Sequence, residues 1–205
     1  MITLYDYWRS TASYRVRIAL NLAGEEWRAV SVNLLDGAHR SGEHTARNPQ
    51  GLVPAIEIDG HVMTQSLAII EYLDETRGLG LIPAGPLAKA RVRAMAHAIA
   101  MEIHPVCNLS VAKHASSAGG EITMQSWMHR FIPPGLAAVE AMAEGPKYCL
   151  GNTLSLADLC LVPQLYNADR WEVDLAGMPK LRGIAKHLSS LPAVTDAHPA
   201  RFEPA

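Results

Sequence analysis

Val53-Pro54-Ala55-Ile56-Glu57-Ile58-Asp59-Gly60-His61-Val62-Met63, followed after Thr64 by Gln65-Ser66-Leu67-Ala68-Ile69-Ile70-Glu71-Tyr72-Leu73, is the stretch that decides the fold. Two short runs rich in Ile and Val meet at Asp59-Gly60, a dipeptide that suits the positive-φ turn of a tight hairpin. Ser66 then reads as the N-cap of a helix on which Ile69, Tyr72 and Leu73 share one face. A hairpin that runs directly into an amphipathic helix closes a small α/β unit near Gly78.

Working outward, Ile2 to Tyr5 reads as a first strand, and Val16, Ala19, Leu20 and Ala23 recur at i, i+3, i+4 and i+7, the spacing of a helix face. Gly24 supplies a stop for that helix, and Trp27 to Val32 is a second β-rich run. The stretch Asp36 to Pro49 is polar and turn-rich. Downstream, Gly78 to Pro86 holds three Gly and two Pro in nine residues and breaks regular structure. From there Ala, Leu, Met, Arg and Glu dominate with helical periodicity and no strand. The expected division is therefore an α/β unit over 1–78, a linker over 79–86 and an all-α bundle over 87–205. Inside the bundle Ser155 and Asp158 have the spacing of a capping box, and Pro163 is expected to bend its helix or end it early.

A chain of 205 residues has room for one large or two small domains, and its 49% apolar and 19% charged content is that of a globular protein. A formal net charge of -2 with no Lys/Arg block points away from nucleic acid. Met1 to Trp8 lacks a basic leader-like start, and no apolar run approaches the roughly 18 residues of a membrane span. The expected location is the cytoplasm, with no membrane partner. Cys107, Cys149 and Cys160 have no zinc-site spacing and read as reduced, buried thiols that behave as small hydrophobes. No metal site, phosphate-cradling Gly-rich loop or nucleophile elbow is read.

The segment with most chemistry is Arg9-Ser-Thr-Ala-Ser-Tyr-Arg-Val-Arg-Ile-Ala19, a hydroxyl cluster between the first strand and its helix. A helix N-terminus favours negative charge, and a thiolate placed there beside a hydroxyl donor has a lowered pKa. Ser10 or Thr11 is therefore a candidate for stabilising a bound thiolate. The same residues, with Ser13, have a plainer reading as helix caps.

Beyond these residues, the order strand-helix-strand, Val53-Pro54 at the hairpin, then Gln65-Ser66 at a helix start resembles the thioredoxin-like domain of glutathione transferases, and the resemblance runs over nearly the whole chain. The segments Arg9-Ser-x-x-Ser-Tyr-Arg-Val-Arg-Ile-Ala-Leu20, Gln65 to Leu73, Asn108-Leu-Ser110 and Ala157 to Gln164 look like the zeta class. The resemblance implies a βαβαββα glutathione-binding domain, a helical substrate domain and a homodimer. It also implies glutathione-dependent cis-trans isomerisation of maleylacetoacetate or maleylpyruvate from aromatic breakdown. Glutathione is then a regenerated cofactor and the substrate a small dicarboxylate.

By the same resemblance Val53 precedes a cis Pro54 and pairs with the cysteinyl part of glutathione, while Gln65 and Ser66 hold its γ-glutamyl end. Serine at a helix start suits a carboxylate, and an X-Pro bond in a turn tolerates the cis form. His39, His104, Asn108 and Ser110 fall at positions implied to border glutathione. Arg9 and Arg170 are implied to bind substrate carboxylates, a task that suits guanidinium; Arg170 also has Asp169, Glu172 and Asp174 nearby as ion-pair partners. Arg15 and Arg17 read as structural or facing a partner subunit. The chain departs from the class at Ala12, where a cysteine is usual, so no protein thiol acts there. Two other readings stay open: a transferase that conjugates or dehalogenates small electrophiles, and a non-catalytic binding module of the same architecture.

Overall fold

In a computed structural model that describes residues 1–204, the chain divides into two compact units, residues 1–81 together with 191–204, and residues 82–190. The first unit runs β1 (Ile2–Asp6), α1 (Thr11–Leu22), β2 (Trp27–Ser31), α2 (Gly42–Arg47), β3 (Ala55–Ile58), β4 (His61–Thr64) and α3 (Ser66–Arg77). The sheet order is β2-β1-β3-β4: β1 lies parallel to β2 and antiparallel to β3, which pairs antiparallel with β4. This is the mixed sheet of a thioredoxin-like domain, with β1 buried along its whole length. Tyr5 pairs with Ala55, and Ala55 with Thr64. The segments that follow β1, precede β3 and follow β4 therefore leave the sheet at one end.

The hairpin turn has Asp59 at φ 53 and Gly60 at φ 80, the left-handed pair that an Asp-Gly dipeptide accepts with little strain. The helix α3 begins at Ser66, one residue earlier than a Ser66 cap would give, because Gln65 occupies the cap position at φ 69 and ψ 109. The polar stretch before β3 is more ordered than its composition announces. It carries a 3₁₀ turn at Ala38–Arg40 and then α2, whose cap is Ser41 accepting from the His44 N–H at 3.2 Å.

The segment Leu191–Pro204, expected to close the helical bundle, instead belongs to the first unit. Its short helix α10 (Pro192–Asp196) packs on α1. Tyr14 Oη donates to the Val194 carbonyl at 3.3 Å, and Asn21 Nδ2 to the Ala193 carbonyl at 3.1 Å. Phe202 stacks on Trp27 at 5.6 Å between ring centres. The physical reason is burial: α1 is apolar or hydrogen-bonded on more sides than the sheet and α3 cover, and α10 closes it.

The second unit holds α4 (Pro86–His97), a π-helical turn (Ala98–Ile103), α5 (His104–Val106), α6 (Leu109–Ser117), α7 (Met124–Met142), α8 (Leu156–Arg170) and α9 (Pro179–Leu188). Its central helix is α8, buried from Leu156 to Leu165 except at Val162. That burial carries α8 on through Pro163 to Arg170; the helix does not end early, since packing outweighs the loss of one backbone bond. Asp158 accepts from the backbone N–H of Cys149 (2.7 Å), and from the N–H (2.8 Å) and hydroxyl (2.7 Å) of Ser155, so the Ser155-Asp158 pair fastens both α8 and the turn before it. Gly135 in α7 lies so close to the π-helical turn that a Cβ there would stand 2.5 Å from Ile103 Cγ1. No helix among the described residues is long and apolar enough to cross a membrane.

Candidate active site

The end of the sheet from which three segments leave gathers the sequence-derived residues of the first unit. The turn after β1 is closed by the Ser10 N–H donating to the Tyr7 carbonyl at 2.8 Å, and it delivers Ser10 to the N-cap of α1. Ser10 is half-buried, and its Oγ accepts from the Ser13 N–H at 3.2 Å. Capping and thiolate stabilisation are compatible in this geometry. The cap uses a lone pair of Oγ, and the O–H proton is a separate function that can be given to an anion at the helix start. Thr11 is the first helical residue and is buried. Ala12 follows half-buried, so the first turn presents hydroxyl but no thiol.

Arg9, beside Ser10, lies over the Trp8 ring at 4.6 Å and donates to Tyr7 Oη at 3.2 Å. The Val53-Pro54 peptide bond is cis. The loop that leads into it is fixed at one atom: the Leu52 carbonyl accepts from His44 Nε2 and Asn48 Nδ2, both at 2.8 Å. Gly51 (φ 60) permits this path, since a Cβ there would meet the His39 carbonyl at 3.2 Å. His39 is thereby held against this loop, half-buried, with its imidazole pushed below the ordinary histidine pKa, first by burial and then by Arg40.

Across the end of the sheet, the Gln65 side chain donates to Gln50 Oε1 at 2.7 Å, and Ser66 is buried as the first residue of α3. Behind it stands Arg15, 2% exposed, whose Nη1 donates to Ser66 Oγ at 3.3 Å. A positive charge thus backs a helix N-terminus, and both favour an anion in front of Ser66. Neither Gln50 nor Arg15 was singled out from the sequence. Arg15 had a legible signal in being a charged residue on the apolar face of α1; Gln50 had none. Neither Arg15 nor Arg17 faces outward: both are buried inside this unit.

The remaining residues lie in the second unit. His104 starts α5, directly after the π-helical turn, and is half-buried. Asn108 caps α6 with extended backbone, and Ser110, two residues later, is exposed. Arg170 ends α8, exposed, 5.9 Å above the Tyr166 ring. The three cysteines are buried. Burial pushes the Cys107 thiol up to about 11 and that of Cys149 well above its ordinary value. No cysteine stands in the turn before α1, so a nucleophilic sulfur there has to come from a ligand.

Residues 1–75 match the family "Glutathione S-transferase, N-terminal domain". The chain is 57% identical over 207 residues to the maleylacetoacetate isomerase of Rhizobium meliloti strain 1021, covering 98% of this chain and 97% of the relative. It superposes with a TM-score of 0.91 at 37% identity, over 97% of both chains, on the holo structure of a maleylpyruvate isomerase described as a bacterial zeta-class glutathione transferase. The chain belongs to the zeta-class glutathione transferases. A further solved member, the maleylacetoacetate isomerase of Methylobacterium extorquens AM1 with bound malonate and glutathione, superposes with a TM-score of 0.92 at 36% identity, over 99% of this chain and all of that one. Within this family the α/β fold of the first unit and the mostly helical remainder are those of its other members.

Proposed function

We propose that this protein is a glutathione-dependent cis-trans isomerase that converts maleylacetoacetate or maleylpyruvate to the corresponding trans acid in aromatic breakdown. The observation that carries the reading is the half-buried Ser10 hydroxyl at the start of α1, its acceptor side taken by Ser13, in a protein whose own thiols are buried. The donor set fits glutathione: a hydroxyl for a thiolate at one point, a helix start backed by Arg15 for a carboxylate at another. When bound, glutathione supplies the thiolate that adds to the cis double bond and leaves again after rotation, so it is regenerated.

The protein's part is binding, orientation and charge stabilisation. Ser10, and beside it Thr11, stabilise the thiolate with the dipole of α1. Val53, Pro54, Gln65 and Ser66 hold the peptide and γ-glutamyl parts, with Gln50 fixing Gln65. His39, kept neutral at pH 7, and His104, Asn108 and Ser110 complete the glutathione contacts. Arg9 and Arg170 take the carboxylates of the dicarboxylate substrate. The protein works as a cytoplasmic homodimer; the apolar side chains of Leu52 and Val62, 41% and 50% exposed, are part of the surface available for pairing. Sedimentation equilibrium at micromolar concentration is expected to give twice the chain mass, and a monomer throughout would refute the dimer.

The test of the activity is to follow maleylpyruvate and maleylacetoacetate by absorbance with and without glutathione, titrating free thiol before and after. Conversion that requires glutathione and leaves free thiol unchanged is expected. Thiol consumed in step with product would replace the isomerase by a conjugating or dehalogenating transferase, a reading no feature of the site favours.

A further inference from the structure

Arg17 is fully buried beside the active-site turn. Its Nη1 donates to Asp6 Oδ2 at 2.6 Å, its Nη2 to the Trp8 carbonyl at 3.0 Å and its Nε to the Ala197 carbonyl at 3.0 Å. Its guanidinium also lies 4.5 Å from the centre of the Phe202 ring and 5.4 Å from that of Tyr14. One planar group therefore joins the end of β1, the turn that carries Ser10, and the C-terminal segment. The Trp8 carbonyl is two residues before Ser10, within the turn closed by the Ser10 N–H on Tyr7. Fixing that carbonyl fixes the plane of the Trp8-Arg9 peptide, and with it the direction in which the chain enters Ser10.

We propose that the C-terminal segment Leu191–Phe202 is a strut for the active-site turn, with Arg17 as the positioning residue that transmits its docking to Ser10. The inference rests on the reading of Ser10 as the group that stabilises the thiolate. Three observations place the load on this segment. It reaches the first unit only after the whole helical unit has intervened in sequence. It offers main-chain carbonyls at Ala193, Val194 and Ala197 to three side chains of α1, Asn21, Tyr14 and Arg17. It also closes the outer face of Arg17 with Phe202, which Trp27 in turn supports. A guanidinium suits the task because its donors point along fixed directions in one plane, so the Ala197 and Trp8 carbonyls and the Asp6 carboxylate are held at once. An ammonium group has neither that fork nor that reach to three separate acceptors.

The test uses the full chain with Phe202→Ala, which removes the ring but leaves every hydrogen bond of Arg17 in place, and Arg17→Lys as the stronger change. Amide hydrogen exchange over Tyr7–Tyr14 is read first, without glutathione. Both variants are expected to exchange about tenfold faster there than the parent, while β3 and β4 keep their protection. The second reading is the pH titration of thiolate absorbance with glutathione bound. The bound thiol is expected to titrate about one pH unit higher and kcat at neutral pH to fall about tenfold, with the glutathione Kd within about twofold. Unchanged exchange over Tyr7–Tyr14 in both variants would overturn the strut. A loss of affinity that accounts for the whole loss of activity, with an unmoved thiol titration, would equally overturn the positioning role. If the parent protein shows no bound thiolate, the reading of Ser10 fails, while the exchange result still decides whether the C-terminal segment holds the turn.

Discussion

Ser10 makes two demands on one oxygen, and the two separate by experiment. As a cap its removal costs about 1 kcal/mol of stability; as a donor to a developing or resident thiolate its removal costs about 10²–10³ in turnover. Ser10→Ala should therefore lose both, and Ser10→Thr, which keeps cap and hydroxyl, should keep most of both. Near-parent turnover of folded Ser10→Ala would take Ser10 out of the chemistry and leave the cap. Arg15 is expected to act at the other end of the same ligand. Its Nη1 donates to Ser66, so Arg15→Met is expected to raise the glutathione Kd about tenfold with the bound-thiol titration unmoved, as read by calorimetry and thiolate absorbance. A shift of the thiol titration with unchanged Kd would reverse that assignment. Of these residues, Ser10 is legible in the sequence because a hydroxyl sits between a strand and a helix. For Arg15 only the oddity is legible: a sequence shows a cation on the apolar face of α1 but not that its guanidinium ends on a serine fifty-one residues away.

At the level of elements, two charged clusters fasten the pieces that present the site. Arg77 at the end of α3 bridges Glu25 (2.6 Å) and Asp59 (2.8 Å), and Tyr72 also donates to Asp59. Arg77 first, then Tyr72, hold the Asp59 carboxyl down at about 2, from a usual 3.8. A depressed acid contributes stability that is complete above its unfolded value and is lost as pH falls through its folded one. Acid unfolding between pH 4 and about 2 should therefore be shallower in Asp59→Asn than in the parent, and superimposable curves would show the ion pair to be idle. In α8 the Asp158 carboxylate satisfies two buried backbone N–H groups, so Asp158→Ala leaves both without a partner. The expected cost is about 2–4 kcal/mol in denaturant unfolding, and a loss under about 1 kcal/mol would mean that neighbours re-satisfy them. The capping pair and the Asp59-Gly60 turn are legible in the sequence because each depends on residues at most three apart. Three features are not, for different reasons. Gln65 adopts φ 69, a conformation no residue type announces except glycine, and so α3 starts one residue early. The six residues of α2 are too few for a period to emerge. The helix α8 survives Pro163 because of burial, a property of its surroundings.

For the whole molecule the cysteines give the simplest check. With all three buried and Cys107 held near 11, a disulfide reagent should modify the native protein slowly, reach three thiols only on unfolding and leave glutathione-dependent turnover intact. Rapid inactivation with one thiol modified would instead reveal a protein nucleophile. The path of the chain also has a consequence in time. The first unit is discontinuous, its last piece separated from the rest by residues 82–190. The usual order, in which the N-terminal domain is finished first as the chain is synthesised, is expected to be reversed here. The helical unit is complete in sequence while Tyr14, Arg17 and Asn21 still lack the carbonyls of Ala193, Val194 and Ala197. Ribosome-bound chains stalled short of those residues should resist protease over α4–α9 and remain cleavable in α1. The glutathione site is thus among the last parts of the protein to come into being.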